Sequence, residues 1–442
     1  MKVAFKTLGC KLNYSETSSI SREFVKKGYQ KVPFEEPSDI YVINTCSVTQ
    51  NADKEFKYLV NKVKKKNPNS SVIAIGCYAQ LKPKKISSIP GVDLVLGADK
   101  KFDILNYINL DKTENKNIHS CEINSVDFFK TSFSLGERTR SFLKVQDGCD
   151  YKCTYCTIPQ ARGKSRSGKI SELINNAKYL VSNGVKEIVL TGVNIGDYGI
   201  FDIKTKKRET SFYELISNID MIAGLERVRI SSIEPNLLTD EIIDFVHQSS
   251  SFVEHFHIPL QSGSDKILRL MKRRYLRNLY FHRVEKIKEL MPHCCIGVDV
   301  IVGFPGETDE DFNDTYNFLR NLNISYLHVF SYSERDNTPS LHIKNKVPKK
   351  IRALRSKILR KLSDEKKENF YRLNLNKVRP VLFESKNYDG YIFGYTDNYI
   401  RVKTTWSKKL IDKIIDCKFV GIDDDLVMNA KIYQQEPIIL HQ

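Results

Sequence analysis

Six of the ten cysteines in this 442-residue sequence fall into two groups of three. Cys149, Cys153 and Cys156 form the run "CDYKCTYC", a C-x3-C-x2-C loop directly after the strand-like stretch "SFLKVQ". Three thiolates this close can bind one metal centre. A structural zinc site takes four protein ligands, and no fourth Cys or His stands near. An iron–sulfur cubane is also usually held by four cysteines, and three leave one iron open, which suits a cluster that binds a small molecule. The competing readings are a zinc site completed from afar and three unrelated thiols. The place of the run, on the loop after the first strand of a β/α series, speaks against both.

The second group is spread along the chain. "KVAFKTLGC", "DIYVINTC" and "SVIAIGC" are apolar, strand-like stretches that each end in cysteine, at Cys10, Cys46 and Cys77. They recur at about one βαβ repeat, roughly 30 residues. Neighbouring parallel strands bring their C-terminal ends to one edge, where ligands bind in open α/β sheets. The three thiols therefore converge, and a shared metal centre explains them better than three coincidental buried cysteines. Cys121, Cys294, Cys295 and Cys417 follow no ligand spacing and read as ordinary thiols.

Clustered thiols that bind metal fit a reducing compartment. No apolar run approaches the roughly 18 residues of a membrane span. The start "MKVAFKTLGC" lacks the long apolar segment of a secretory signal. We therefore expect a cytoplasmic protein without membrane attachment. The net charge of +17 favours a polyanionic partner, nucleic acid first, although lysine-rich solvated faces give the same number.

The elements that must hold these residues divide the chain. Over residues 1–110, strand alternates with helix, which predicts a parallel α/β domain. Residues 111–134 are polar and lack periodicity, and they read as a linker. Residues 135–375 hold about six further β/α units ("SFLKVQDGC", "EIVLTGVN", "RVRISSIEP", "FHIPLQSG", "CCIGVDVIVGFPGET", "YLHVFSYS"), which predict a partial or full β/α barrel with its site at the C-terminal strand ends. This segment ends in a strongly basic helix. Residues 376–442 change to short strands separated by Asp-Gly and Thr-Asp turns, a small all-β barrel.

At these residues the sequence resembles the radical S-adenosylmethionine methylthiotransferases, over nearly the whole chain. The C-x3-C-x2-C run on the first barrel strand marks the superfamily. The three upstream strand-end cysteines and the downstream β module, a TRAM-like domain, mark the methylthiotransferases. "TLGCKLNYSET", "FLKVQDGC" and "TGVNIGDYG" look most like the MtaB type, which methylthiolates carbon 2 of N(6)-threonylcarbamoyladenosine at position 37, next to the tRNA anticodon. Sister branches act on isopentenyladenosine in tRNA or on a ribosomal-protein aspartate. A zinc-dependent RNA binder without catalysis is the alternative of another class.

The resemblance implies a [4Fe–4S] cluster on Cys149, Cys153 and Cys156 that chelates S-adenosyl-L-methionine, and a second [4Fe–4S] cluster on Cys10, Cys46 and Cys77 that carries the sulfur. Two S-adenosyl-L-methionine molecules serve each turnover, one for the methyl group and one for the radical. Gly192 and Asn194 would meet the methionine moiety. Ser232, Glu234, His257 and Gln261 would contact its amino group or ribose, and Asp299, Val302 and Gly303 would surround the adenine. Arg162 and Arg166 would touch cofactor or RNA. The basic helix and the β module would hold the anticodon stem-loop, with Tyr391, Phe393, Tyr395, Tyr399 and Trp406 as stacking surfaces. A flavodoxin or ferredoxin would supply electrons, and the protein would work as a monomer.

Overall fold

The computed structural model describes residues 1–46, 50–108 and 118–433. Strands β1 (Lys2–Thr7), β2 (Gln30–Val32), β3 (Ile40–Thr45), β4 (Ser71–Gly76), β5 (Leu94–Leu96) and β6 (Ile118–His119) form one parallel sheet in the order β2-β1-β3-β4-β5-β6. Every residue of β3 is buried, because helices cover both faces. Helix α1 (Lys11–Lys26) packs Ile20 and Phe24 against Val3, Val42 and Ile75. Helix α2 (Gln50–Lys66) packs Phe56 and Val60 against Ala4, Tyr41 and Ile43 on the other face. The short helices α3 (Cys77–Leu81) and α4 (Pro83–Ser87) follow β4.

Residues 111–117 of the expected linker lie outside the described residues. The rest of it is more structured than its polar sequence suggests. Ile118–His119 adds the edge strand β6 to the first sheet, and β7 (Ser132–Phe133) pairs antiparallel with β8 (Arg140–Lys144) of the next. Pairs of two residues are too short to leave an alternating pattern.

Beyond β8, the ribbon of β9 (Gln146–Asp147) and β10 (Arg166–Ser167) frames the cysteine loop and α5 (Ile158–Arg162). Then come α6 (Ile170–Ser182), β11 (Glu187–Thr191), α7 (Phe212–Asp220), β12 (Arg227–Ile230), α8 (Asp240–Gln248), β13 (His255–His257), α9 (Asp265–Leu270), α10 (Arg277–Leu290), β14 (Cys295–Val302), α11 (Asp309–Asn321) and β15 (Tyr326–Ser331). Strands β8, β11 and β12 are parallel, as are β13, β14 and β15. Parallel bridges Val228–Phe252 and Ser232–His257 join the two sets in chain order. The result is the expected partial barrel. Side chains alternate along each strand. Leu143, Ile188, Leu190, Val228, Val298 and Val300 enter the core under the helices. Their neighbours Arg140, Glu187, Arg229, His257 and Asp299 are left to line the inside.

The basic helix α12 (Lys349–Arg372) leads to the last module. It lies along β15, and its inner face includes Arg352 and Arg355, both buried. They donate to Glu334 (2.6 Å), Glu307 (2.5 Å) and Asp309 (2.6 Å). Only its outer residues, such as Lys357, Arg360 and Lys361, are exposed to a partner. Strands β16 (Val378–Phe383), β17 (Tyr391–Thr396), β18 (Arg401–Thr405), β19 (Ile414–Ile422) and β20 (Met428–Ile432) close into a barrel in the order β16-β17-β18-β20-β19. Among the described residues no helix is long and apolar enough to cross a membrane.

This small barrel closes the N-terminal end of the large one. Arg229 donates to the carbonyls of Asp397 (3.0 Å) and Thr396 (3.2 Å), and Arg227 to those of Pro380 (2.7 Å) and Tyr395 (3.2 Å). Tyr399, held at φ +64°, stacks on Tyr395 and lies against His255 and the Arg229 guanidinium. Tyr395 and Tyr399 therefore form the floor of the large barrel and do not offer stacking faces to RNA. Glu187 anchors this floor, 2.8 Å from Arg229 and near Arg140 and Arg227. Burial alone would raise its pKa, but the three arginines pull it from 4.5 to about 2. A depressed carboxyl pKa stabilises the fold above pH 4.5, and that contribution is lost as pH falls towards about 2. Removing one partner of such a buried pair costs about 3–5 kcal/mol. Glu187→Gln should therefore lower unfolding stability by about that amount at neutral pH. Its deficit against the native protein should shrink on acidification, measured by denaturant unfolding across pH, and a deficit independent of pH would contradict the assignment.

Candidate metal centres

The first triad is assembled by turns at strand ends. Gly9 has φ +103°, and a Cβ there would lie 2.8 Å from the Cβ of Cys46. The β1 end is thus pressed against Cys46, and Cys10 follows as the N-cap of α1. Gly76, at φ +97°, turns β4 into α3, whose first residue is Cys77; a Cβ on Gly76 would stand 2.5 Å from the carbonyl of Thr45. Cys10 is exposed, Cys46 half-buried and Cys77 buried. Burial pushes the Cys77 thiol up most, nearby Arg162 lowers it, and Cys10 raises it.

Asn13 stitches these ends together. Its amide nitrogen donates to the carbonyls of Leu8 and Thr45, both at 3.1 Å. Its oxygen accepts from Arg162 at 2.5 Å. Thr45 donates to the carbonyl of Ile75 (2.6 Å) and accepts from the Ala79 N–H (3.1 Å). The strand ends carrying Cys10, Cys46 and Cys77 are cross-linked through two side chains.

The second triad sits on the loop after β9. The N–H groups of Tyr151 and Ile158 donate to the sulfurs of Cys149 and Cys156, each at 3.4 Å. Arg273 donates to the sulfur of Cys153 at 3.0 Å and is ion-paired with Glu234. Burial pushes Cys149 and Cys156 up to about 12, so without a cation they stay protonated. A bound cation inverts that balance and fixes thiolates. Donors aimed at all three sulfurs fit a ligated, negatively charged cluster.

The segments that carry the two triads meet, because α3, which begins at Cys77, packs against α5, which follows Cys156. Between them lies a buried ion-pair network. Glu16 of α1 meets Lys101 (2.7 Å), Lys144 (3.0 Å) and Arg162 (3.1 Å). Asp147 meets Lys144 (2.8 Å), Arg162 (2.9 Å) and Arg166 (3.3 Å). Four cations face two carboxylates here, and the surplus positive charge, carried nearest by Arg162, lies beside Cys77 and Cys10. That surplus suits an anionic cluster on the first triad. Arg162 and Arg166 accordingly do not reach RNA, contrary to expectation. Both are buried, and Arg166 spends its remaining donors on the carbonyls of Phe128, Arg162 and Lys164.

The remaining expected residues gather at the strand ends. Gly192 packs on Gln146, whose side-chain oxygen accepts the N–H groups of Val193 (3.0 Å) and Asn194 (2.9 Å). Among the described residues, the buried Asn194 amide finds a partner for neither its nitrogen nor its oxygen. Such an orphan is costly unless a ligand completes it. Ser232 bonds His257 (3.0 Å), and His257 bonds Asp299 (2.9 Å). Glu234 is turned to Arg273, and Gln261 sits at φ +67° beside Asp299. Asp299, Gln261 and Cys156 line one cavity of about 230 Å³. Val302 departs from expectation, because strand alternation sends its side chain into the core, and Ile301 lines the cavity instead. Gly303, at φ +74°, is pressed against Arg352 of α12.

Sequence reasoning missed Asn13, Glu16, Gln146 and Arg273. Asn13 and Glu16 read as ordinary helix residues, and Arg273 lies in the basic run "MKRRY". Of the aromatics, Tyr391 is exposed, Phe393 packs between Tyr388 and Arg401, and Trp406 lies against the core of the small barrel. Gly76→Ala should destabilise the metal-free protein by at least about 1–2 kcal/mol, the cost of forcing a side chain into left-handed backbone. Denaturant unfolding measures this, and an unchanged midpoint would show that the turn is not fixed by glycine.

Comparisons with known proteins agree with this geometry. The profile of the Radical SAM superfamily matches residues 143–319, and that of the uncharacterized protein family UPF0004 matches residues 2–97. The chain is 38% identical over 428 residues to the threonylcarbamoyladenosine tRNA methylthiotransferase MtaB of Bacillus subtilis (strain 168), covering 95% of this chain and 93% of the relative. It is 34% identical over 423 residues to the tRNA-2-methylthio-N(6)-dimethylallyladenosine synthase of Clostridium tetani (strain Massachusetts / E88), covering 93% and 92%. Among solved structures it is similar in fold to the radical S-adenosylmethionine methyltransferase TsrM of Kitasatospora setae, with TM-score 0.55, 12% identity and coverage of 77% and 76%.

Proposed function

The chain belongs to the radical S-adenosylmethionine tRNA methylthiotransferases, and we propose that it methylthiolates carbon 2 of N(6)-threonylcarbamoyladenosine at position 37 of tRNA. The observation that carries this reading is the meeting of two cysteine triads across Arg162. Cys149, Cys153 and Cys156 would hold one [4Fe–4S] cluster, and Cys10, Cys46 and Cys77 the other. When bound, the clusters and S-adenosyl-L-methionine supply one-electron cleavage of a sulfonium and a transferable sulfur. The C2–H bond of adenine has no usable acidity, so proton transfer alone cannot replace it.

The chain's own residues position these groups and exclude water. The N–H groups of Tyr151 and Ile158 and the Arg273 guanidinium donate to the cysteine sulfurs and favour their anionic form. The free amide of Asn194 offers a donor and an acceptor to the amino-acid end of the cofactor. Ser232, His257 and Asp299 form a hydrogen-bonded chain along the inner wall. Tyr399 and the small barrel stop the floor against water.

For RNA, a second cavity of about 340 Å³ opens beside the first, lined by Lys54, Lys57, Lys82, Lys85 and Arg335 as well as Asp53, Glu334 and Asp336, and reaching Thr157 and Gln160. Lysines at such an opening suit backbone phosphates, while an unstacked loop base enters the barrel. Exposed Tyr391, the half-buried Phe393 and the outer face of α12 offer further surface for the stem-loop. We place the protein in the cytoplasm as a monomer, reduced by a flavodoxin or ferredoxin.

Nucleoside analysis of tRNA from cells lacking the gene tests the reading. The 2-methylthio derivative of threonylcarbamoyladenosine should vanish while threonylcarbamoyladenosine itself persists. If that derivative remains and the isopentenyl analogue disappears, the substrate assignment is wrong.

A further inference from the structure

Lys11 follows Cys10 directly and opens α1, a helix that packs on β8 of the barrel. Its ammonium lies within electrostatic reach of Tyr399, Arg140, Arg229 and Glu187. From the opposite wall it acts on His255 and His328. These groups belong to β8, β11, β12, β13, β15 and the floor loop, so Lys11 projects into the lumen that all of them enclose. It is half-buried, and it has neither a hydrogen bond nor an ion pair among the described residues.

The carboxylates around it are already engaged. Glu187 is held by Arg229, Asp299 by His257, and Glu234 by Arg273. Among the described residues this ammonium is therefore ion-paired with no carboxylate, while Arg140 and Arg229 add positive charge within its electrostatic reach. A half-buried cation in that position is suited to an anionic ligand group.

The chemistry of the base says which group that is. Resting on the substrate reading above, the adenine presents carbon 2 to the sulfur held at Cys10, Cys46 and Cys77. Carbon 2 and carbon 6, which bears the N6 nitrogen, both flank N1, on one edge of the ring. A substituent on N6 therefore lies on the side of the base that faces the sulfur donor, beside the residue that follows Cys10. In threonylcarbamoyladenosine that substituent ends in a carboxylate. We propose that Lys11 is a specificity residue that binds the carboxylate of the N6 substituent, selecting bases that carry an amino-acid group over those with an apolar one.

The test uses two synthetic anticodon stem-loop RNAs, identical except that the threonyl carboxylate of one is a neutral carboxamide in the other. Native enzyme should prefer the acid by about tenfold or more in kcat/KM, the range of one charge-assisted hydrogen bond. Lys11→Met should lose that preference by falling on the acid RNA while changing little on the amide. Lys11→Gln, measured the same way, serves if iron analysis shows that Met impairs cluster loading. Equal losses on both RNAs would overturn the proposal, because Lys11 would then serve the cofactor, the cluster or the RNA backbone. Native enzyme indifferent to acid and amide would overturn it too. Failure to modify either RNA would instead bring down the substrate reading and this inference with it.

Discussion

The structure depends on a buried set of charges that ties α1 to the large barrel. Glu16 and Asp147 are almost fully buried, as are Lys101, Lys144, Arg162 and Arg166. Taking each ion out of water costs several kcal/mol, recovered only when pairing and hydrogen bonds are complete. Here the members come from both sides of the junction. Glu16 and Lys101 belong to the N-terminal α/β domain, and Lys144, Asp147, Arg162 and Arg166 to the barrel. Separating the two parts would strand charges on each, so the network fixes how they meet. Since Arg162 of this network lies near Cys77 and Cys10 and ends the helix that follows Cys156, the same contacts set the relation between the two cysteine triads.

Arginine does different work at three places. At the junction Arg162 links Asn13, Glu16 and Asp147 and lies near Cys77. At the floor Arg227 and Arg229 reach main-chain carbonyls of the small barrel, which makes that module the closure of the large barrel. At the cysteine loop Arg273 donates to a sulfur. The planar guanidinium suits all three, because it can engage several acceptors in fixed directions. These arginines thus hold the architecture and are not free to meet a polyanion.

The fold and the cysteines were legible because they follow from local pattern. Alternating apolar strands and helices give the parallel sheet and barrel, and strand ends recurring in cysteine give the first triad. Partners that come from distant segments were not legible. Nothing near Arg162 or Arg166 in sequence shows that Glu16 and Asp147 will bury them. Val302 was assigned to the adenine by its place in "DVIVGFPGET", whereas the parity of β14 hands that position to Ile301. Tyr395 and Tyr399 read as RNA-stacking aromatics because the docking of one barrel on another leaves no trace in either sequence. Asn13 in "TLGCKLN" gained a physical role, since it joins the ends of β1 and β3 to Arg162.

The central claim is that this junction couples the two centres. Glu16→Gln keeps the side chain's shape and removes the charge that faces Lys101, Lys144 and Arg162. The direct measurement is the amount of methylthiolated RNA formed per 5′-deoxyadenosine released, in variant protein shown by iron analysis to carry both clusters. The account predicts that S-adenosylmethionine is still cleaved but that the ratio falls, because the sulfur centre is no longer held against the barrel. A ratio equal to that of the native protein would contradict it.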